Sequence, residues 1–168
     1  MFLLSICQWL DGTRFNAALR MSNWFFPTFD TIHTLGIVLV AGTIMLVDLR
    51  LLGLALRSEP VAAVVRRIVP WTLGGFALMF VTGALMFSSE AVKLYHSPVF
   101  RIKLVLLALA GLNALIFHTT IYRDVRNWDQ TAPTPLRARL AGLLSLAFWI
   151  AIITAGRAIA YGPGYDLG

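Results

Sequence analysis

Residues 68–89 hold twenty-two consecutive positions without a charge, and three other stretches of the chain approach the same length. As a helix such a run covers about 33 Å, close to the hydrocarbon thickness of a bilayer. The other stretches centre on Thr31 to Val47, Leu104 to Tyr122 and Leu140 to Tyr161, and Arg157 is the one charge inside the last of them. Only 13% of the 168 residues are charged, 58% are hydrophobic, and mean hydropathy is +0.77. A soluble domain carries about 25% charged residues. The pattern therefore specifies an integral membrane protein.

The expected fold class is all-α, an integral membrane antiparallel four-helix bundle with an N-terminal interfacial amphipathic helix. Residues 1–26 form the interfacial segment. Residues 27–168 form the transmembrane domain, with spans at about 31–52, 68–89, 103–122 and 138–161. Met1 to Leu10 lacks the basic start of a signal peptide and is interrupted by Gln8, so it reads as retained. Asp11 is placed to cap a short helix reaching Met21, with Phe15, Ala18 and Leu19 on its apolar side. Trp9, Trp24, Phe25 and Phe26 suit the headgroup level. Pro27 offers a sharp turn into the first span. Ser58-Glu59-Pro60 signals a short helix in the following connection, Pro70 falls in the first turn of the second span, and Gly162-Pro163-Gly164 stops the fourth.

Net charge is +6. In a membrane chain, basic residues between apolar spans set orientation and meet anionic headgroups, so nucleic acid is not an expected partner. The connections after the first and third spans carry four arginines each: Arg50, Arg57, Arg66 and Arg67, then Arg123, Arg126, Arg137 and Arg139. The other face carries Arg14, Arg20, Lys93, Arg101, Lys103 and Arg157. The positive-inside rule puts both four-arginine loops in the cytoplasm and both termini outside. The bilayer is the first partner, and a redox protein or a second copy of the chain is compatible with the glycine-bearing helix faces. Cys7 is alone, which excludes an internal disulfide or a cysteine metal cluster.

Depth sorts the ionisable residues into two layers. Asp30, His33, Lys103 and Arg157 fall at the outer level, with Glu90, Met86 and loop residue His96 nearby. Asp48, Arg50 and His118 fall at the inner level, which keeps His118 too far from His33 for the two to share a metal or a heme. An ionisable group within a span is a functional-site candidate by default. Each also has a bland role: Asp30 can cap the span, Lys103 can snorkel, His33 can be a satisfied bundle histidine, and Asp48 with Arg50 can anchor a helix end. Asn113 suits an interhelical hydrogen bond. Met86 is either packing or a soft ligand.

The blocks HTLG (33–36), DLRLLG (48–53), PVFRIK (98–103), Asn113 with His118, and GRAIAY (156–161) resemble those of a family of small, uncharacterised bacterial inner-membrane proteins. That resemblance implies the fold and a bacterial inner-membrane location. More loosely, His33 in an early helix and Lys103 opening a later one are similar to copper-resistance D membrane domains and to the four-helix, heme-binding protoporphyrinogen oxidases. The chain differs from these in having no second histidine at the depth of His33 apart from His96.

Three functions compete. The first is a redox protein binding b-type heme or quinone in the outer half. There His33 is the axial ligand, Met86 or His96 the second, and Lys103 and Arg157 pair with propionates. The second is a transporter handling copper, with His33 as the metal ligand, or a small anion at the same cluster, Asp30 included. The third is a ligand-free structural or assembly subunit. Orientation is directly testable. In a Cys7→Ser background, cysteines at Arg57 and Gln130 are expected to be shielded from an impermeant thiol reagent in intact cells, while one at Ser97 reacts. The reverse pattern inverts the layers.

Overall fold

The computed structural model of the chain describes residues 2–129 and 134–161. Among these there is no strand. The Gly162-Pro163-Gly164 stop and residues 130–133 of the last connection lie outside the described residues. Two short helices, α1 (Phe2–Asp11) and α2 (Arg14–Met21), precede the long α3 (Phe25–Leu52) and α4 (Val61–Ser89). After α5 (Ala91–His96) comes α6 (Pro98–Ile116), which runs on through a π-helical turn at Phe117–Ile121 and a 3₁₀ turn at Tyr122–Asp124 into α7 (Val125–Trp128). The last helix is α8 (Leu136–Tyr161). Four stretches, Phe25–Leu52, Val61–Ser89, Pro98–Trp128 and Leu136–Ile159, are long and apolar enough to cross a membrane.

Helix ends depart from the sequence expectation in instructive ways. Asp11 does not cap α2: it closes α1 and pairs with Arg20, while Thr13 Oγ1 accepts from Asn16 N at 3.3 Å. The covered residue of α2 is the polar Asn16, not Phe15, which faces outward. Asn16 donates to the Leu10 carbonyl at 2.6 Å and accepts from Ser88 Oγ at 3.2 Å. The N-terminal segment is thus tied by polar contacts to the far end of α4.

Helix α3 begins at Phe25, so Pro27 lies within its first turn and Asp30 lies inside the helix rather than capping it. It ends at Gly53, whose φ of 73° is the left-handed conformation that glycine adopts without strain, and whose N–H reaches back to the Arg50 and Leu49 carbonyls.

Helix α4 starts at Val61, immediately after Pro60, so the start signal opens the span itself and not a separate short helix. Arg66 and Arg67 belong to α4, and Pro70 is interior. Its ring removes one donor from the helix ladder. The first turn of α4 is held instead from afar: Asp129 accepts the backbone N–H of Val61 on one oxygen and that of Ala62, at 3.0 Å, on the other. A carboxylate at a helix N-terminus satisfies orphan donors and complements the macrodipole.

Helix α3 packs along both α4 and α8, and α6 packs along α8, while α4 and α6 make no extended contact among the described residues. The α3–α4 pair is antiparallel: Gly36 lies against Met79, Val40 against Gly75, Thr43 against Thr72. A Cβ on Gly75 would sit 2.7 Å from Val40 Cγ2, and one on Gly36 would sit 2.8 Å from Met79 Cγ. The two backbones approach this closely only because both side chains are absent. Gly142 seats α8 on α3 in the same manner, its Cβ position 3.2 Å from the Asp48 carbonyl oxygen. Asn113 Nδ2 donates to the Ala141 carbonyl at 3.0 Å and ties α6 to α8, the interhelical bond its mid-span position predicts.

Adjacent glycines make the packing testable. Gly74 has open space at its Cβ position and Gly75 has none. Gly75→Ala is expected to destabilise by about 1–3 kcal/mol through overpacking. Gly74→Ala is expected to be neutral or slightly stabilising, because alanine is the better helix former. Thermal unfolding of the detergent-solubilised variants measures both.

Candidate functional site

Two polar layers exist inside the helix assembly. In the first, His33 of α3 meets α4. Its Nδ1 lies 2.8 Å from Thr82 Oγ1, and Thr82 Oγ1 lies 2.8 Å from the Leu78 carbonyl. A hydroxyl has one proton, and the Leu78 carbonyl can only accept it. When that proton goes to the Leu78 carbonyl, Nδ1–H donates to Thr82 and Nε2 keeps its lone pair; in the other tautomer Thr82 donates to Nδ1. A ring oriented this way by its other nitrogen is the arrangement that ligating histidines use. Gly83 leaves room for the ring, since a Cβ there would be 3.2 Å from His33 Cε1.

Lys103 enters the same layer from α6. Its Nζ is 3.5 Å from the Cβ position of Gly156 on α8, so the glycine of the GRAIAY block admits the ammonium. Lys103 and Asp30 are the charges whose fields reach His33. His33 and Lys103 are half-buried, while Asp30 and Arg157 are exposed.

Met86, half-buried, stands one helical turn beyond Thr82. His96 is exposed at the end of α5 with its ring edge-on to Tyr95. Among the described residues no group of three or more metal-ligating side chains forms. The structure thus brings Lys103 within electrostatic range of His33, and among the described residues no hydrogen bond or ring contact links Met86 or His96 to either.

The second layer surrounds a cavity of about 350 Å3 between α4 and α6, backed by α3 and α8. Its walls are mostly apolar, with Phe76 and Trp149 rings 5.8 Å apart, and its polar lining includes Asp48, Asn113, His118 and Ser145. The volume lies within the range of small-molecule sites. Asp48 is 4% exposed. Ser145 bonds its carboxyl group, yet Oδ2 has no hydrogen-bond partner among the described residues. Arg50, also buried, turns elsewhere: its Nε donates to the Glu59 carbonyl at 2.6 Å and its Nη1 reaches Thr134 Oγ1 at 3.5 Å. The reading of Asp48 and Arg50 as a joint anchor is corrected accordingly: Arg50 anchors the loop, and Asp48 faces the interior alone.

His118 occupies the π-helical turn, where one extra residue per turn re-aims side chains, and its ring meets Phe117 and Tyr122 edge-on. Fifteen residues of α3 separate His33 from Asp48, about 22 Å along the axis, so the two layers are distinct. Sequence reasoning assigned Asp48 and His118 to one level but named neither Ser145 nor Trp149. A serine and a tryptophan four apart on α8 carry no signal in a span where such residues are common at packing faces.

The family model of DUF6644, a family of unknown function, matches residues 16–162. The chain belongs to this family. The DUF6644 match takes in every long helix together with His33, Asp48, Lys103, His118 and Ser145. No curated protein and no solved structure matches the chain. None of these comparisons supports the looser likeness to copper-resistance D domains or protoporphyrinogen oxidases.

A buried carboxyl oxygen without a partner costs about 1–3 kcal/mol. Asp48→Asn supplies an amide that keeps the shape of the side chain and is less costly to bury. The variant is expected to unfold at the same temperature as wild type or higher, where a residue in a buried salt bridge would lower it.

Proposed function

We propose that this DUF6644 protein is a membrane-embedded electron-transfer protein that holds a b-type heme through His33, in an antiparallel four-helix bundle of the bacterial inner membrane. In this reading both termini lie on the periplasmic side and α1 with α2 rests at the outer interface. The observation that carries it is the His33–Thr82–Leu78 chain, which fixes the ring's orientation and, with Nδ1 protonated, presents the Nε2 lone pair.

The residues present fit such a group. His33 would supply a ligand nitrogen and Lys103 a half-buried cation for a propionate, while Gly83 and Gly156 make room for these two side chains themselves. When bound, heme supplies a one-electron couple whose potential follows its axial ligand and surroundings. The chain's own part is to hold the ring tautomer through Thr82, to balance an acidic group with Lys103, and to exclude water with the apolar helix faces. The same ammonium disfavours a bare copper ion next to His33, because two cations would share a site of low dielectric. A quinol is the other redox occupant that an acceptor nitrogen suits.

Apart from His96, exposed at the end of α5, His33 is the sole imidazole at this level among the described residues, which favours a single histidine ligand. Protein purified from a heme-replete host is expected to show a Soret band that shifts on addition of imidazole or carbon monoxide. His33→Ala is expected to abolish the band, Thr82→Val to weaken heme retention, and His118→Ala to leave the spectrum unchanged. A colourless wild type removes the heme reading. Loss of colour in the His118 variant alone moves the cofactor to the other layer.

A further inference from the structure

The cavity between α4 and α6 is not used by a heme at His33. Among the described residues Asp48 is the only carboxyl group in its lining, and no lysine or arginine lines it. The ion pairs found among the described residues, Arg20–Asp11 and Lys93–Glu90, both lie elsewhere. Arg50, the nearest arginine in sequence, is engaged by the Glu59 carbonyl. One carboxyl oxygen in a closely packed interior is left without a donor, and Ser145 serves the group only in part. Buried polar atoms are rarely left in that condition, and the exceptions mark sites completed by something else.

What completes it has to bring a donor and has to arrive through an apolar entrance. The lining residues Leu73 and Phe76 of α4 are 62% and 38% exposed, and Gly111 and Ala114 across the gap on α6 are also exposed. These exposed lining residues lie on the flanks of two apolar spans, so the gap opens towards the lipid side, and beyond it the Phe87 and Phe100 rings of α4 and α6 stack 5.6 Å apart. On α4 the lining runs from Val65 to Phe76, about 16 Å of helix, with Asp48 towards one end and the Phe76–Trp149 ring pair towards the other.

We propose that this cavity binds a lipophilic amine admitted from the bilayer between α4 and α6, with its ammonium on Asp48 and its apolar body extending along the cavity towards Phe76 and Trp149. An acidic head would meet Asp48 with no cation in the lining to offset it. A purely apolar molecule would leave Oδ2 as it is. An ammonium supplies the missing donor and an opposite charge together, and charge-assisted bonds of this kind are the strong ones. Flat bodies suit two tilted rings, which also attract cations.

The test uses the full-length protein in lipid nanodiscs and equilibrium dialysis with naphthylmethylamine, its alcohol analogue and naphthoate. Wild type is expected to bind the amine at least about tenfold more tightly than the alcohol, the factor that one charged hydrogen bond supplies, and to bind naphthoate weakest. Asp48→Asn is expected to erase the preference of amine over alcohol. Gly111→Phe, which fills the cavity from α6 without touching Asp48, is expected to weaken both. His33→Ala is expected to leave all three affinities unchanged, so this result is separate from the fate of the heme. Equal binding of amine and alcohol by wild type, an amine preference that survives Asp48→Asn, or preferred binding of naphthoate each overturns the proposal.

Discussion

The close approach of α3 and α4 at Gly36 and Gly75 is the contact on which the rest of the assembly depends. In lipid the surroundings are as apolar as the helices, so burial of leucine or valine brings little gain in joining them. What remains is van der Waals contact between backbones and a few polar bonds, and both need small residues at the seam. The Thr43–Thr72 and His33–Thr82 pairs lie along this same seam, spaced by the register that the glycines impose. A shift of α3 past α4 by one turn would break both pairs and drive Val40 and Met79 into backbone.

From that pair the other helices take their places. Helix α3 meets α8 through Gly142, with Val40 packed against Trp149 and Ile152, and α8 carries α6 through Ala141 and Gly156. The extended contacts run α4–α3–α8–α6, while α4 and α6 touch through the Phe87–Phe100 ring stack towards one end. A closed ring of four helices would fill its own centre. An open chain of them leaves a gap between its ends, and the cavity lies there. Its existence is therefore a consequence of packing order, and Asp48, on the central helix, faces into it.

The polar groups show how differently two acids can be treated by one fold. Asp129 sits at the start of α4 with two backbone donors, which is where a carboxylate is most at ease. Asp48 sits among apolar walls with one oxygen unserved. The first stabilises a helix end; the second is tolerated at a cost, and such tolerance is the mark of a group kept for what it contacts. His33 lies between these cases: its Nδ1 is committed to Thr82, and Nε2 is left for something else.

What the sequence by itself determined is the set of long helices and their approximate limits. An uncharged run in lipid has to satisfy its backbone internally, and a helix does so locally, whatever its neighbours are. The two-layer grading of His33 and Lys103 against Asp48 and His118 follows from depth alone, which is also a linear property. Only the tertiary structure decided which faces meet. Lipid-facing and inward-facing positions of a span are both apolar, so the periodicity that reveals the buried side of a soluble helix is nearly absent here. For that reason nothing in the chain marked Gly75 as the seam and Gly74 as the outside. Nor did it mark Asp129 as the cap of a helix 68 residues earlier. Asp48 read as a helix anchor because its neighbour Arg50 looked like its partner; the fold turned the two residues to different surroundings. That choice depends on where α8 and the α3–α4 loop come to rest, and no local pattern contains it.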